Sequence, residues 1–425
     1  MTARRRRLSP LLAAVLAAVL GASAAGCSGG KDSAGQPAVQ EVKFGLLTPL
    51  KGPSAAAGQE AQRGAQLAAD VINGPNPSIP LPLAEGTGLP GLGGARVKIV
   101  PRDTSSDNQV AADAAARLVT EDGVTAITGA FDPAVTSFAS QRSDRLGVPF
   151  VTADSPSSFL TRRGLDWFYR LGPSVRTAGR SFFSLLQGKI SRDARTVVLH
   201  VFDSAGNDVA STMKELAAEG GFRKPDDISF PPDAADLGPA VDQVRALNPD
   251  TVFVYASPDT VQSMIAAFAS RQYRPRAVMS FGLGYLNAAA YRSNAAVVTG
   301  LCRSVSWSPE PAGRNPAARA VSNLYQRKYN TAMTEAAAAS FTAVLALAQA
   351  VDAARSVQSN DVRTALLGLD VPGEDTIMPW SGIRFDETRE NIGAQAIVEQ
   401  FVNQSFRVVF PTDAKSIEMR YPANT

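Results

Sequence analysis

Residues 41–73 read EVKFGLLTPLKGPSAAAGQEAQRGAQLAADVIN, and the reading of this stretch decides the fold. The apolar run 42–47 suits a buried strand. A loop with Pro49, Gly52 and Pro53 follows, and then Ala61, Ala65, Ala68 and Ile72 fall on one helical face. Ser54 stands at the N-cap position, so the first free N–H groups of the helix point back over the strand end. Strand, loop and helix in this order put the loop at the carboxyl end of a parallel sheet, where open α/β folds bind ligands. Alone, the pattern opens any doubly wound domain.

Working outward, the rhythm repeats. Strands are predicted at 96–100, 124–129, 148–152 and 167–171, with helices over 108–121 and 134–146. A second run places helices over 176–186, 208–219, 237–247 and 260–271, and strands at 196–202, 228–230, 251–256 and 276–280. Two α/β halves that each start afresh predict two lobes with parallel sheets covered on both faces. Further on, the pattern predicts a strand at 297–303 and helices over 316–329, 335–354 and 361–367. A strand at 383–385 and a hairpin of 396–402 with 405–411 close the chain, and this tail is expected to complete an earlier lobe. Residues 74–94, rich in Pro and Gly, are expected to form a surface excursion.

Hydrophobic residues make up 45% of the 425 and charged residues 19%, which is globular composition with room for two domains. The formal charge of +3 comes from the leader. Residues 1–26 hold Arg4, Arg5, Arg6 and Arg7 and no acid; without them 38 basic side chains face 39 acidic ones. No other basic run interleaves with aromatics, so nothing points to nucleic acid. Residues 1–26 read as an export signal, with an apolar core at 11–20 too short to span a membrane. The sequence Ser23-Ala24-Ala25-Gly26-Cys27 resembles a bacterial lipobox, with Ala24 where Leu is commonest. That resemblance implies lipidation of Cys27; cleavage after Ala24 gives a freely secreted protein instead. Residues 27–40 then form a flexible tether. The one remaining cysteine, Cys302, is expected to be a buried strand residue.

An exported, tethered, two-lobed α/β chain is similar to the solute-binding proteins of ABC importers. More narrowly, it resembles the branched-chain amino-acid-binding family with the type I periplasmic binding protein fold. The opening stretch carries the resemblance, with VKIVPRDTSSDNQVAADAAARLVTEDGVTAITGAFDPAVTSFASQ at 97–141, GVPFVTADSPSSFLT at 147–161 and DTIMPWSGIRFDETRENIGAQAIVEQFVNQ at 375–404. No single motif decides; order and spacing do. The resemblance implies two lobes, 41–171 plus 303–371 and 172–302 plus 372–425, joined by three hinge crossovers. It also implies capture of an amino acid or similar small polar solute in the cleft, delivery to a membrane ABC permease, and a place on the outer face of the cytoplasmic membrane. No cofactor and no metal is implied.

A cleft that binds an amino acid needs hydroxyls or helix N-terminal N–H groups for the carboxylate, and carbonyls or an acid for the ammonium. The loops offer Ser54, then Ala130, Phe131, Asp132, Thr136 and Ser137, then Asp154 and Ser155. The second lobe offers Asp203 and Asn207, Tyr255 and Ser257, and the backbone around Gly282. Four positions depart from the family. Asp132-Pro133-Ala134 replaces a Ser/Thr-rich loop, Asp154-Ser155-Pro156 replaces a small residue followed by Thr, Asn207 stands where an aromatic is common, and Gly282 where an acid often pairs with the ammonium. Asp132 and Asp154 either suit a cationic or hydroxylated ligand or cap the helices that follow.

Three functions compete: transport, sensing by a receptor of the same fold, and hydrolysis by a surface α/β enzyme. The third has little support, and the chain is expected not to be an enzyme. The only histidine, His200, lies inside an apolar strand and is expected to be packed there. Asp203-Ser204-Ala205-Gly206 lacks the first Gly of a nucleophile elbow and has no His downstream. No Walker loop, dinucleotide fingerprint or Cys/His metal cluster is present in the sequence.

Overall fold

The computed structural model describes residues 39–256, 258–281 and 294–423. Strand β1 (Glu41–Thr48) is an interior strand of a five-stranded sheet with β2 (Arg96–Asp103), β3 (Ala126–Thr128), β4 (Phe150–Thr152) and β5 (Phe168–Arg170). The order is β2-β1-β3-β4-β5, all parallel, and Phe44 pairs with Ile99 on one side and Ala126 on the other. The apolar run in β1 exists because both faces of the strand are covered. Val42, Phe44 and Leu46 face one core, and Leu47 joins Leu118 and Ile127 in a second. The first core is closed by α1 (Ala55–Asn73) and the second by α2 (Asn108–Thr120) and α3 (Pro133–Arg145).

The second sheet repeats the plan. After α4 (Val175–Leu186) come β6 (Thr196–Val201), α5 (Ser204–Glu219), β7 (Asp226–Phe230) and α6 (Gly238–Leu247). Next come β8 (Thr251–Tyr255), α7 (Pro258–Ser270), β9 (Val278–Ser280) and β10 (Cys302–Val305). Here β7-β6-β8-β9-β10 are parallel in the same order as the first sheet, and the terminal hairpin β13 (Ile397–Val402) and β14 (Ser405–Phe410) extends the β10 edge antiparallel. Asn403 and Gln404 both take positive φ at its tip, the geometry of a tight hairpin. The tail therefore completes the second sheet, as expected.

Between β10 and that hairpin the chain returns to the first lobe as α8 (Pro316–Tyr329), α9 (Glu335–Ala354), α10 (Ser359–Leu367) and a small antiparallel pair, β11 (Asp370–Pro372) and β12 (Gly382–Arg384). Helix α9 is long and apolar enough to cross a membrane, but Phe341, Leu345 and Val351 are buried against β1 and α1, which makes it the core helix of the first lobe. Gly64 in α1 permits the approach, since a Cβ there would lie 2.0 Å from the Ala337 carbonyl oxygen.

Four expectations need correction. The segment 74–94 is packed rather than superficial: Ile79, Leu81, Ala84 and Leu89 enter the first core, and the Gly91 N–H donates to Asp352 Oδ1 at 2.7 Å. Residues 297–303 do not form one strand; a helical turn at Ala295–Val298 precedes β10, and Gly300 turns between them at φ +87°. Helix α5 begins at Ser204, four residues before its expected start, because Gly206 lets the first turn sit on the strand end, where a Cβ would lie 1.9 Å from the Val201 carbonyl oxygen. Lastly, Val371, Ile377, Trp380, Phe385 and Ala394 belong to the first core and Ala396 to the second, so the last crossing lies at 394–396 rather than 371–372. The chain also passes from one core to the other between Leu171 and Val175 and between Cys302 and Trp307.

Candidate functional site

Two of the three crossings border a cleft of about 660 Å³, a figure that includes open solvent. Its walls are the carboxyl-end loops of both sheets. Phe131 comes from the loop after β3, Ala153, Asp154 and Pro156 from the loop after β4, and Phe281 from the end of β9. Crossing segments supply the floor: Pro173, Ser174 and Val175, then Ser304, Val305 and Ser306. The head of α9 adds Glu335, Ala336 and Ala339. This is the carboxyl-edge placement that open parallel sheets give their ligands.

Two carboxylates stand among these mostly apolar walls. Burial pushes Asp154 above the usual carboxylate range, partly offset by hydrogen bonds from the Thr152 hydroxyl, at 3.1 Å, and the Phe131 N–H. Burial pushes Glu335 up to about 7, although the Ser306 N–H donates to its Oε1 at 2.5 Å. No Lys, Arg or His is among the lining residues described. Two helix N-termini of the region carry a capping acid. Asp132 accepts from the N–H groups of Ala134 and Val135 at 2.8 and 3.2 Å, so it caps α3. Asp203 accepts from the Gly206 N–H at 2.7 Å and caps α5. With their N–H groups bonded to acids, these termini are poor places for a ligand carboxylate.

Of the expected site residues, Phe131 and Asp154 line the cleft. Ala130 and Thr136 are buried beside it, where the Ala130 N–H donates to the Thr136 hydroxyl at 3.2 Å. Ser137 turns to Arg163, which donates to its hydroxyl at 3.1 Å. Ser155 is buried, Asp203 is a cap, and Asn207 lies exposed on α5. Tyr255 is packed in the second core. Ser54 begins α1 outside the cavity wall, and its side chain caps nothing. The loop it belongs to is held instead by Asp103, which accepts from the Leu50 N–H at 2.8 Å. Ser257, Gly282 and Cys27 lie outside the described residues. Asp154 does not cap the turn that follows, whose N-cap is Ser157.

Sequence reasoning missed Ser174, Ser304, Ser306 and Glu335. The crossing residues carry no local signal, because only the convergence of three distant segments makes them a floor. Glu335 had one: it is the sole charge at the head of a helix uncharged until Asp352. His200 and Cys302 are packed strand residues, as expected; His200 Nε2 lies 2.8 Å from Asp227 Oδ1, and burial pushes the Cys302 thiol up to about 12.

Above the floor the lobes also meet directly. Asp208 on α5 accepts from the Ser158 N–H at 2.7 Å, the Ser157 hydroxyl at 3.2 Å and Arg162 at 2.5 Å, all three on the first lobe. Arg170, buried in β5, supports that loop by donating to Thr161 Oγ1 and Glu390 Oε1, each at 2.7 Å.

The family model described as "Periplasmic binding protein" matches residues 41–401. The Leu/Ile/Val-binding protein homolog 7 of Brucella abortus (strain 2308) is 25% identical over 396 residues, which cover 91% of this chain and 95% of that protein. Among solved structures, the leucine-binding protein LivK of Thermotoga maritima MSB8 superposes with a TM-score of 0.73 at 20% identity, covering 86% of this chain and 97% of that one. A solute-binding protein of R. palustris in complex with benzoate gives 0.70 at 14% identity, covering 91% and 99%. A family match along nearly the whole folded body, on two sheets of one topology joined by three crossings, leaves one assignment: the chain belongs to the periplasmic binding protein family, with the type I fold.

Proposed function

We propose that this protein is the extracytoplasmic solute receptor of an ABC importer. It captures an amino acid or similar small polar solute between its lobes, carries out no catalysis, and passes the solute to a membrane permease. The observation that carries this reading is the cleft itself: a cavity walled by loops of both lobes and floored by the crossings, so that filling it favours lobe closure. The Leu/Ile/Val-binding relative supports an amino acid as cargo, while leucine and benzoate on the same fold make the lining residues, not the fold, the basis of choice. Residues 1–26 serve as the export signal and Cys27 as the lipid anchor. Within the cleft, Phe131 and Asp154 are the sequence-read residues assigned to ligand contact, joined by Ser174, Ser304, Ser306 and Glu335.

A thermal-shift screen of the full chain against amino acids, amines, amides, polyols and aromatic acids tests this. A ligand bound only by the folded state at 100 times its Kd stabilises by about 2.7 kcal/mol, a shift of a few degrees for a chain of this size. Absence of any shift at millimolar concentration across all five classes would overturn the proposal.

A further inference from the structure

The cleft holds an acid whose pairing is incomplete. Glu335 lies at the first turn of α9, lines the cavity, and is met among the described residues by the Ser306 backbone N–H at 2.5 Å and the Ser306 hydroxyl, with no ion pair to the nearby Arg303. Its neighbour Arg303 is committed elsewhere, to Glu399 at 2.7 Å across β10 and β13. Glu399 in turn takes the Ser308 hydroxyl at 2.6 Å, so that pair is complete without Glu335. A carboxylate placed at a cavity wall without a cation wants a donor from whatever fills the cavity. The remaining walls here are mostly apolar, with Phe131 and Phe281 from opposite lobes and Ala336 and Ala339 beside the acid, and their polar groups are Asp154 and the serines of the floor.

From this geometry we infer that Glu335 grips the amine of the bound solute, so that the cleft takes a small molecule with a protonated amino group on an apolar body and does not require a carboxylate. The inference rests on the reading of the cleft as a solute site. It places the amine-binding acid on the first lobe, at the head of its core helix. The capping acids Asp132 and Asp203 agree with it, since they place negative charge at the starts of α3 and α5, where a ligand carboxylate would otherwise be favoured.

The test compares three probes that share one branched apolar body: leucine, 3-methylbutylamine and 4-methylpentanoate, titrated calorimetrically into the full chain at pH 7.5. The amine and leucine are expected to bind and the carboxylate to fail. Glu335→Gln should weaken amine binding at least tenfold, since it removes the charge and keeps the Ser306 acceptor, and Glu335→Asp should restore part of it. Affinity of the wild type for the amine should rise about tenfold from pH 6 to pH 8 as Glu335 loses its proton, a dependence that Glu335→Gln abolishes. Asp154 on the cavity wall and Arg303 and Glu399 behind Glu335 are the other charged groups facing it, and they are present in both proteins. Equal binding of 4-methylpentanoate, or unchanged amine affinity and pH dependence in the Gln variant, overturns the inference. If carboxylates or polyols from the wider screen bind and amines do not, the cleft remains a solute site and the amine assignment falls. If no solute binds, both fall.

Discussion

Asp208 and Glu335 stand on opposite lobes, and they differ in how fully their oxygens are met. Asp208 takes an N–H, a hydroxyl and a guanidinium, each contributed by the other lobe. Glu335 takes the backbone N–H and hydroxyl of Ser306 alone, on the crossing segment, feels the Arg303 charge without an ion pair to it, and lines the cavity. The first carboxylate is complete as the structure stands and so reads as a brace between lobes. The second is incomplete and so reads as a place for something else. A buried acid is informative about function through the bonds it lacks, because a carboxylate removed from water must recover those bonds from protein or ligand.

The comparison breaks most readily at Asp208. Asp208→Ala leaves the Ser158 N–H and Arg162 without their acceptor, and the expected loss is about 2–3 kcal/mol of unfolding free energy, read from urea midpoints of the full chain. The upper range for a broken buried pair does not apply, since the Arg162 side chain is 54% exposed and can turn to solvent. A loss under 0.5 kcal/mol would mean that the lobes are not braced there.

Glu335→Gln should act in the opposite direction on the ligand-free protein. In the folded chain Glu335 keeps its proton up to about pH 7, against 4.5 for the ordinary side chain. Between those values folding takes up a proton, so stability falls as pH rises through this window, and the full deficit is present above 7. Replacing the acid with an amide removes the deficit. The variant should gain about 1–2 kcal/mol at pH 8 and nothing near pH 4, less than the full shift implies because the carboxylate borders a solvent-open cavity. Equal stability of both proteins at pH 8 would show that Glu335 is already satisfied without ligand.

These two acids also mark how far the sequence could be read. The α/β rhythm located both sheets, and α8 and α9 began and ended on the expected residues, because strands buried on both faces and helices with one apolar face leave periodic traces. Helix α5 was placed four residues late, since its first turn depends on Gly206 meeting the Val201 carbonyl, a tertiary contact with no local mark. The site was less legible. Loops after β3 and β4 announced themselves by position, giving Phe131 and Asp154, whereas Ser174, Ser304, Ser306 and Glu335 reach the cavity only because two chain crossings and the head of α9 meet at it. Asp132 could be read as ligand contact or cap from sequence. Two backbone N–H groups on one carboxylate oxygen make it a cap.

Asp132 and Ser54 carry the comparison to its smallest scale. Both stand at the N-cap of a first-lobe helix that begins beyond a strand end, and either could have been assigned to ligand or to helix from its type. Asp132 has extended backbone, with φ −77° and ψ 138°, which aims its carboxylate at the N–H groups of Ala134 and Val135. Ser54, with φ −88° and ψ 3°, has already entered the turn and makes no side-chain cap bond; its carbonyl takes the Gly58 N–H at 3.1 Å. Gly58 itself lies so close to Pro49 that a Cβ would sit 1.7 Å from the carbonyl oxygen, which fixes this helix start by contact rather than by cap. Asp132→Ala should therefore cost about 1 kcal/mol, the usual worth of a cap, and Ser54→Ala under 0.5 kcal/mol, both measured by urea unfolding at pH 7.5. Neither change should alter the affinity of a cleft ligand more than threefold if their work is structural. A tenfold loss on Asp132→Ala with the helix intact by circular dichroism would return that aspartate to the ligand.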